Sequence, residues 1–461
     1  MRKQFVTMTA AAVVCAIALS GCSGSDDSGD DDTLTVWTVE DVADRVAAQE
    51  QIFAKYTQET GIKVNLVAVA EDQLTTVLTS SAAAGDLPDV IGALSLNGVN
   101  QLATDDLLDP GAAQSIIDKL GEDTFSERAL ELTSDGDTQL AVPSDGWAQL
   151  LYYRTDLFAE AGLGAPTSFD DISAAAAALD SPDVAGIVAS TAPADSFTQQ
   201  TFEHFALAND CQLVDDDAKL TLDSPECVEA LQFYADLIKN SSVQGNQDAD
   251  TTRATYFAGG AAMVVWSSFL LDELAGLRND ALPTCAECAA DPTFLAANTG
   301  VVSAIEGPSG SEPASFGEIV SWSVLQDASP DAQGLVEYMM GDGYNDWLAV
   351  APEGKVPTRT GTQDEPGVFA DGWQQLEAGV DTKALLSSVY SADILNSVIA
   401  APDSFSRWGI PQGQGALAAA VGGQFVLPQV IASMLNSGVS AEDAAADAND
   451  QATTIQEDLD F

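Results

Sequence analysis

A tryptophan followed by two acids ends the first apolar run of the chain, in the stretch "LTVWTVED" at residues 34–41. The indole of Trp37 is costly to leave in water, and the carboxylates of Glu40 and Asp41 are costly to bury without partners. Two interpretations follow. The stretch is either a helix cap beside a core aromatic, or the edge of a site that offers a flat apolar face next to fixed carboxylates.

Catalytic motifs are missing from the sequence. It contains no G-x-S-x-G, H-E-x-x-H, G-x-G-x-x-G or G-x-x-x-x-G-K-[ST] pattern. His204, the single histidine, lies at helical spacing among Phe202, Phe205 and Leu207, which predicts a structural role. With 71 acids some carboxylate pair is unavoidable, so a secreted glycoside hydrolase stays open as an alternative. We predict a binding protein that is not an enzyme, with no cofactor and no metal.

The charge of the chain narrows the class of partner. Its 461 residues carry 71 acids against 16 Lys plus Arg, a formal net charge of −55. Nucleic acid is excluded because its binding needs a basic surface, and an anionic bilayer is an equally poor electrostatic partner. Self-repulsion of this size is relieved by salt, so we predict an extracellular protein whose melting temperature climbs with NaCl concentration.

The first residues predict export and lipidation. "MRKQF" is a basic start, an apolar stretch too short for a comfortable membrane span follows, and "LSGC" resembles a bacterial lipobox. The resemblance implies a signal peptide at residues 1–21 and a diacylglycerol on Cys22; an ordinary secretory signal with a chance cysteine is the alternative. Residues 22–32 then form a lipidated cysteine and a disordered acidic tether.

Four cysteines remain after Cys15 and Cys22 are set aside, and they lie at Cys211, Cys227, Cys285 and Cys288. An even number in an exported chain favours disulfides. Of three connectivities, the local pairs Cys211–Cys227 and Cys285–Cys288 are favoured. A redox motif lacks the expected strand–helix context, and a zinc site lacks a second pair or a nearby histidine.

Strand and helix patterns alternate along residues 33–95 as β-α-β-α-β, which is typical of a parallel sheet covered by helices. The predicted helices end at Gly61 and Gly85, and the pattern continues through "AGIVAS", "PECVEALQFYADLIKN", "AAMVVW", "EIVSWSVL" and "PDAQGLVEYMMGD". Trp37, Glu40 and Asp41 come just past the first strand. Since ligands of open α/β sheets bind beyond the carboxyl ends of strands, this position favours a site.

Several stretches together resemble the bacterial extracellular solute-binding proteins of ABC importers, in the sugar-binding group that includes maltose-binding protein. They are "LTVWT", "TGIKVNLV", "GDLPDVI", "LAVPSDGWAQLLYYRTDLFAEAGLGAPTSFDDI", "LTLDSPECVEALQFYADLI", "FAGGAAMVVW" and "APEGKVPTRTG". One departure is Arg154, where the family usually has Asn. Another is "IGALSLNG" after "GDLPDV", which lacks the family's aromatic and acid and argues against maltose itself.

The resemblance implies an α/β chain with a two-lobe, periplasmic-binding-protein type II-like fold, hinge-linked around an interlobe ligand cleft. The N-lobe would take residues 33–143 and 294–340, and the C-lobe residues 144–293 and 341–461. The implied protein is a monomer, lipid-anchored on the extracellular face of the membrane. It captures a sugar or oligosaccharide and delivers it to the transmembrane subunits of an ABC permease. The same fold could instead bind a cationic solute such as a polyamine.

Sugar binding needs aromatic faces for C–H groups and polar side chains for hydroxyls. By position in the family pattern, the implied ligand-binding residues are Trp37, Glu40, Asp41, Asn97, Asp145, Trp147, Asp195, Ser196, Phe197, Trp266, Ser267, Phe269, Arg407 and Trp408. Asp41 is also expected to cap the following helix. Trp322 and Trp347, within strand and helix patterns, are expected in the core.

Overall fold

The computed structural model describes residues 33–70 and 73–459. The predicted signal peptide, the lipidation at Cys22 and the acidic tether lie outside these residues. The described strands are β1 (Thr33–Thr38), β2 (Lys63–Ala68), β3 (Val90–Ser95), β4 (Ser134–Asp135), β5 (Thr138–Gln139), β6 (Val142–Arg154), β7 (Met263–Ser267), β8 (Thr299–Val302), β9 (Ser315–Val324), β10 (Val356–Pro357), β11 (Glu377–Ala378), β12 (Ala384–Leu385) and β13 (Phe405–Ser406).

Helices cover most of the remaining chain. They are α1 (Ala43–Thr60), α2 (Leu74–Ala84), α3 (Leu96–Thr104), α4 (Pro110–Leu120), α5 (Glu127–Leu132), α6 (Thr155–Ala161), α7 (Phe169–Leu179), α8 (Ser196–Ala208), α9 (Pro225–Ser241), α10 (Ala249–Phe257), α11 (Leu270–Leu274), α12 (Phe294–Ala297), α13 (Ala332–Met339), α14 (Tyr344–Leu348), α15 (Val368–Trp373), α16 (Leu386–Val389), α17 (Ala392–Ile399), α18 (Gly415–Gly423), α19 (Val426–Ser437) and α20 (Ala441–Leu459). Short 3-10 helices lie at Glu122–Thr124, Glu287–Ala289, Pro352–Gly354 and Ala401–Ser404.

The first three strands form the predicted parallel unit. β1 pairs in parallel with β2 and β3, and α1 and α2 connect them. Gly61 and Gly85 end these helices in the left-handed region, at φ 83° and 70°, where glycine has no steric penalty. The β-α-β-α-β prediction is therefore confirmed. The main sheet continues in the order β10-β6-β9-β3-β1-β2.

Strand β6 belongs to two sheets and joins the two lobes. Its first half, residues 142–148, pairs antiparallel with β9. Its second half changes partners, because Gln149 to Tyr153 pair with β7 and Leu151 to Arg154 pair with β8. Strand β9 also crosses, since it pairs with β3 at one end and with β13 at the other. The fold is thus α/β with two lobes, and the residue boundaries given above for the lobes stay a prediction.

The apolar core is built around tryptophans and the faces of the sheets. Trp322 and Trp347 are fully buried with ring centroids 5.0 Å apart, which confirms their predicted place in the core. Gly92 in β3 lies against Trp322, and a Cβ there would come within 2.1 Å of the indole. A second cluster fills the other lobe with Phe205 and Tyr234.

Two predicted local features have different outcomes. Cys211 pairs with Cys227 and Cys285 with Cys288, so the favoured disulfide connectivity is confirmed. The segment "AGIVAS" is not a regular strand; it makes isolated bridges of Ala185 to Ala261 and Val188 to Val264. Its backbone runs beside β7 without a continuous ladder of hydrogen bonds. The apolar residues of this segment therefore indicate burial and not a regular strand.

Within residues 33–70 and 73–459, one bent pair of helices is borderline as a membrane span. No single helix there is long and apolar enough to cross a membrane. Helices α18 and α19 are long and apolar enough only when taken together, and they are bent by 44° at their junction.

Candidate functional site

A cavity of about 730 Å³ opens where β6 and β9 pass between the lobes. Loops and helix ends from both lobes supply its walls, as expected for a crevice beyond the ends of strands. The lining residues are Val39, Glu40, Arg45, Ala93, Ser95, Asn97, Asp145, Trp147, Ala194, Asp195, Ser196, Gln199, Gln200, Glu203, Phe269, Phe316, Glu318, Val320, Gly354, Lys355, Arg407, Trp408, Ala418, Ala419, Gly422, Gly423 and Phe425.

A buried lysine organises one wall. Lys355 lies just before β10, and its Nζ is 2.7 Å from a carboxylate oxygen of Glu40 and 3.4 Å from one of Asp145. Glu40 also pairs with Arg45 at 2.8 Å. Asp145 accepts hydrogen bonds from Ser144 Oγ and from Trp347 Nε1, each at 2.6 Å. Every charge in this wall therefore has a partner of opposite sign.

The pKa values of Glu40 and Lys355 follow from those pairs. Burial alone would raise the pKa of Glu40, but the charges of Lys355 and Arg45 outweigh it and lower that pKa to about 2. Burial alone would lower the pKa of Lys355, but the carboxylates of Asp145 and Glu40 raise it. Glu40 is thus ionised and Lys355 protonated across the physiological pH range.

A buried arginine organises another part of the wall. Arg407 donates a hydrogen bond to Glu318, and its Nε lies 3.8 Å from a carboxylate oxygen of Glu203. Glu318 also accepts the N–H of Leu96 at the start of α3, at 2.8 Å. Glu203 accepts the N–H of Trp408 at 3.0 Å. Burial raises the pKa of Glu203, an effect that Arg407 opposes. These bonds fix the backbone at the first residue of α3 and at Trp408.

Aromatic rings cover the remaining area. Trp147 and Phe316 pack with ring centroids 5.8 Å apart, and the Arg407 guanidinium lies 4.6 Å from the centroid of Phe316. Phe269 lies against Gly354, where a Cβ would come within 1.9 Å of the ring. Trp408 is almost fully buried, and its Nε1 donates to the carbonyl of Cys211. The cavity thus offers flat apolar faces beside fixed polar groups.

Some polar atoms at the cavity are buried without a hydrogen-bond partner among the described residues. They include Asn97 Oδ1, Gln199 Oε1 and Arg407 Nε. Buried polar groups usually have partners, so these atoms would gain one if the wall shifted slightly around a bound molecule. Two are acceptors and one is a donor, a set that suits hydroxyl groups, which both donate and accept.

The structure brings together nine of the fourteen residues that the family pattern implies. These are Glu40, Asn97, Asp145, Trp147, Asp195, Ser196, Phe269, Arg407 and Trp408. Asp195 has a local task as well, because its side chain accepts the N–H of Phe197 and caps α8.

Five other implied residues lie outside the cavity wall. Trp37 is buried in a core cluster with Ile91 and Leu94. Asp41 is exposed, and the helix-cap expectation for it was wrong: α1 is capped by Val42, with no side-chain hydrogen bond.

The remaining three make other contacts outside the wall. The rings of Phe197 and Trp266 lie against one another at 5.5 Å, and Trp266 Nε1 donates to the carbonyl of Ala249. Ser267 is buried, and its carbonyl accepts a hydrogen bond from Tyr152.

Sequence reasoning missed the buried charges that organise the site. Glu203, Glu318 and Lys355 were not among the implied residues, although Lys355 lies in the quoted stretch "APEGKVPTRTG". The available signal was a charge within an apolar pattern: Glu203 lies in "TFEHFALA" and Glu318 begins "EIVSWSVL". Charged residues are rarely buried unless paired, so such positions point to a partner elsewhere in the chain.

Comparison with known proteins agrees with this geometry. The family model of bacterial extracellular solute-binding proteins matches residues 40–275. YcjN of Escherichia coli K12, whose name places it among ABC transporter periplasmic-binding proteins, is 28% identical over 367 residues, 77% of this chain and 79% of YcjN.

Solved structures share the fold. The sugar-binding protein MalE of Xanthomonas citri superposes with a TM-score of 0.70 at 17% identity, over 93% of this chain and 98% of MalE. A solute-binding protein of Agrobacterium radiobacter K84 in complex with ribitol gives a TM-score of 0.65 at 18% identity, over 92% and 98% of the two chains.

Proposed function

The chain belongs to the bacterial extracellular solute-binding proteins of ABC transporters, and from this premise we propose that its cavity captures a neutral sugar or oligosaccharide. The binding step involves no bond making or breaking. The two lobes close over the solute, and the loaded protein presents it to the transmembrane subunits of an importer. The relatives are binding proteins rather than enzymes, in agreement with this role.

One observation carries the choice of a neutral ligand: four of the five acids in the wall already lie in ion pairs with buried cations. Glu40 and Asp145 share Lys355, while Glu203 and Glu318 share Arg407. What remains for a ligand is apolar ring surface and unpartnered amide and guanidinium atoms. A sugar matches both, because its C–H faces lie on rings and its hydroxyls form hydrogen bonds.

The same observation weighs against a polyamine. Five acids and three cations line the cavity, but four of the acids are ion-paired, and the fifth, Asp195, accepts a backbone hydrogen bond at the start of α8. A cationic solute that displaced Lys355 or Arg407 from a buried pair would leave one of these charges without its partner.

The test is thermal shift followed by calorimetry on the purified chain with maltose, maltotetraose, glucose, ribitol and spermidine. We expect stabilisation by at least one neutral member and no shift with spermidine. Stabilisation by spermidine alone would replace the sugar proposal with the cationic one, and no shift with any member would contradict both.

Two tryptophan variants locate the binding event. Trp147→Ala removes a ring from the wall and should weaken binding about tenfold or more. Trp266→Phe alters a ring that does not line the cavity and should leave the affinity unchanged. Equal losses from the two variants would contradict the cavity as the binding site.

The location at the cell surface extends the same proposal. The family acts outside the cytoplasm, and "LSGC" supports a lipid anchor on Cys22 that keeps a monomer at the extracellular face of the membrane. Expression in a bacterial host tests it: the full chain should partition into detergent and Cys22→Ser should not. Equal partitioning of the two would contradict the anchor.

A further inference from the structure

The disulfide Cys211–Cys227 joins the end of α8 to the start of α9. Cys211 comes three residues after α8, and Cys227 is the third residue of α9. Both cysteines are fully buried in the apolar cluster of their lobe. A disulfide allows only a narrow range of Cα separations, so it restrains the backbone around both cysteines.

A hydrogen bond from the cavity wall ends on this restrained backbone. The indole Nε1 of Trp408 donates to the carbonyl oxygen of Cys211 at 2.8 Å. The backbone N–H of Trp408 donates to the carboxylate of Glu203, on α8, at 3.0 Å. Trp408 is therefore held at two points, at its main chain by α8 and at its indole nitrogen by the residue that carries the disulfide.

These two bonds act on the cavity through Arg407, the residue before Trp408. Only 2% of Trp408 is exposed, so its ring offers a ligand little surface of its own. The guanidinium of Arg407 donates to Glu318 and lies over the ring of Phe316, and its Nε has no hydrogen-bond partner in the described part of the chain. Because Arg407 and Trp408 share a peptide bond, a shift of Trp408 moves this guanidinium as well.

Other contacts hold α8 and α9 together without the disulfide. Asn209 Nδ2 donates to the carbonyl of Glu226 at 2.9 Å. The rings of Phe202 on α8 and Tyr234 on α9 pack edge to face at 5.7 Å. The two helices should thus stay neighbours when the cysteines are replaced, and the disulfide contributes chiefly the exact place of the Cys211 carbonyl.

We infer that the disulfide Cys211–Cys227 positions the binding site. It holds the carbonyl of Cys211 at the indole nitrogen of Trp408 and thereby fixes Arg407 at the cavity. The inference rests on the proposed function and deepens it, because it assigns a part in solute binding to two residues that do not line the cavity. Both cysteines are positioning residues that act through Trp408.

Removal of each disulfide in turn gives the first readout. Cys211→Ala with Cys227→Ala should weaken binding of the neutral solute that the unaltered protein binds by about threefold to tenfold, the range for one hydrogen bond. The buried pair Cys285–Cys288 is the matched control, since neither cysteine lines the cavity. Cys285→Ala with Cys288→Ala should leave the affinity unchanged. Equal affinities or equal losses in the two variants would overturn the inference.

Both variants should also melt at a lower temperature than the unaltered chain, because each loses a cross-link. Calorimetry is therefore run below all the melting transitions, where every chain is folded. A loss of affinity under these conditions reports the site and not the fraction of folded protein.

Trp408→Phe separates positioning from stability. It removes the indole N–H and keeps an aromatic ring, so it should weaken binding while the disulfide is present. In a chain that already carries Trp408→Phe, removal of Cys211–Cys227 should weaken binding less than twofold further, because the bond that it supports is gone. Additive losses would overturn the inference. Unchanged affinity in Trp408→Phe would overturn it too, whether or not the chain without Cys211–Cys227 folds.

Exchange of the Trp408 indole N–H with deuterium, followed by NMR, gives a readout without ligand. The signal is assigned by its loss in Trp408→Phe. Its exchange should be faster after removal of Cys211–Cys227 and unchanged after removal of Cys285–Cys288. An unchanged rate in the first variant, or the same increase in both, would contradict the role of the disulfide.

The outcomes separate the two proposals. If no neutral solute binds the unaltered protein, the proposed function fails and this inference fails with it. If a sugar binds equally well with and without Cys211–Cys227, only the inference fails.

Discussion

Two pairs of buried acids lie close together, one beside Lys355 and one that includes Glu353, and they are neutralised by different means. At the cavity, Glu40 and Asp145 face the ammonium of Lys355. Just behind it, α11 packs against the 3-10 helix Pro352–Gly354 and brings Asp272 near Glu353. Both oxygens of Asp272 and Oε2 of Glu353 have no hydrogen-bond partner in the described part of the chain.

The second pair depends on protons. Burial, and then the nearby Glu353, raise the pKa of Asp272 to about 8, against the opposing charge of Arg278. Burial also raises the pKa of Glu353, although Arg45, Lys383 and Arg278 oppose it. Glu273, Tyr152 and Tyr390 are the other titratable groups close by. A buried acid such as Glu40 is stabilised as a carboxylate by fixed cations at any ordinary pH. A buried acid such as Asp272 is stabilised in its neutral form by a proton, at pH values below its raised pKa.

The largest effect should come from removing the cation. Lys355→Met leaves Glu40 and Asp145 buried without their shared partner, and we expect a loss of about 3–5 kcal/mol in the free energy of unfolding. Denaturant unfolding measures it, with the exposed Lys239→Met as control. A loss no larger than that of the control would show that the two acids do not depend on Lys355.

The proton-dependent pair should respond in the opposite direction. The pKa of Asp272 in the folded state lies above its unfolded value near 4, so the folded chain binds more protons and loses stability as pH rises from about 4 to about 8. Asp272→Asn removes this loss, and above pH 8 it should be several kcal/mol more stable than the unaltered chain. Unfolding at several pH values checks it, with the exposed Asp183→Asn expected to follow the unaltered chain. A pH profile unchanged by Asp272→Asn would contradict the protonation of Asp272 in the folded chain.

A smaller effect should come from one acid of the cation-bound pair. The pKa of Glu40 is lowered to about 2, so its stabilisation is complete above its unfolded value near 4.5 and is lost as pH falls toward 2. Glu40→Gln should cost about 2 kcal/mol at pH 7 and nothing near pH 2. Acid titrations of unfolding compare the two chains, and an equal difference at both pH values would contradict the assignment.

The smallest effect should come from an exposed ion pair. Arg128 and Glu131 are 2.8 Å apart on α5, with side-chain exposures of 29% and 51%. Water screens such pairs, so Arg128→Gln should cost less than about 0.5 kcal/mol. Unfolding in low and molar NaCl measures it. A loss of unfolding free energy close to that of Lys355→Met would show that burial does not explain the difference between the two ion pairs.

The local pattern of this chain could be predicted from its sequence, while partners distant in sequence could not. Helices ending at Gly61 and Gly85 were predicted because each signal lies within one element. Both disulfides join cysteines close in sequence. Lys355 is more than two hundred residues from Asp145, and nothing local in "PEGKVP" indicates burial.

The same limit explains the outcome for aromatic residues. Strand ends were predicted to present Trp37 and Trp266, but one ring turns into a core cluster and the other packs on Phe197. Alternation along a strand allows two faces, and only the tertiary structure decides which one meets the cavity. The place of Phe425 in the cavity wall was not predicted, because the sequence does not indicate a left-handed backbone when the residue is not glycine.

The single strand β6 also governs the order in which the chain can fold. Leu150 pairs with Trp266, but Val142 pairs with Trp322, so the first half of β6 lacks this partner strand until β9 has been synthesised. Pairing between segments this far apart in sequence makes folding slow, and a nascent chain that stops short of β9 exposes the edges of β3 and β6. Any fragment ending before residue 315 is therefore a candidate for aggregation, however stable the finished protein is.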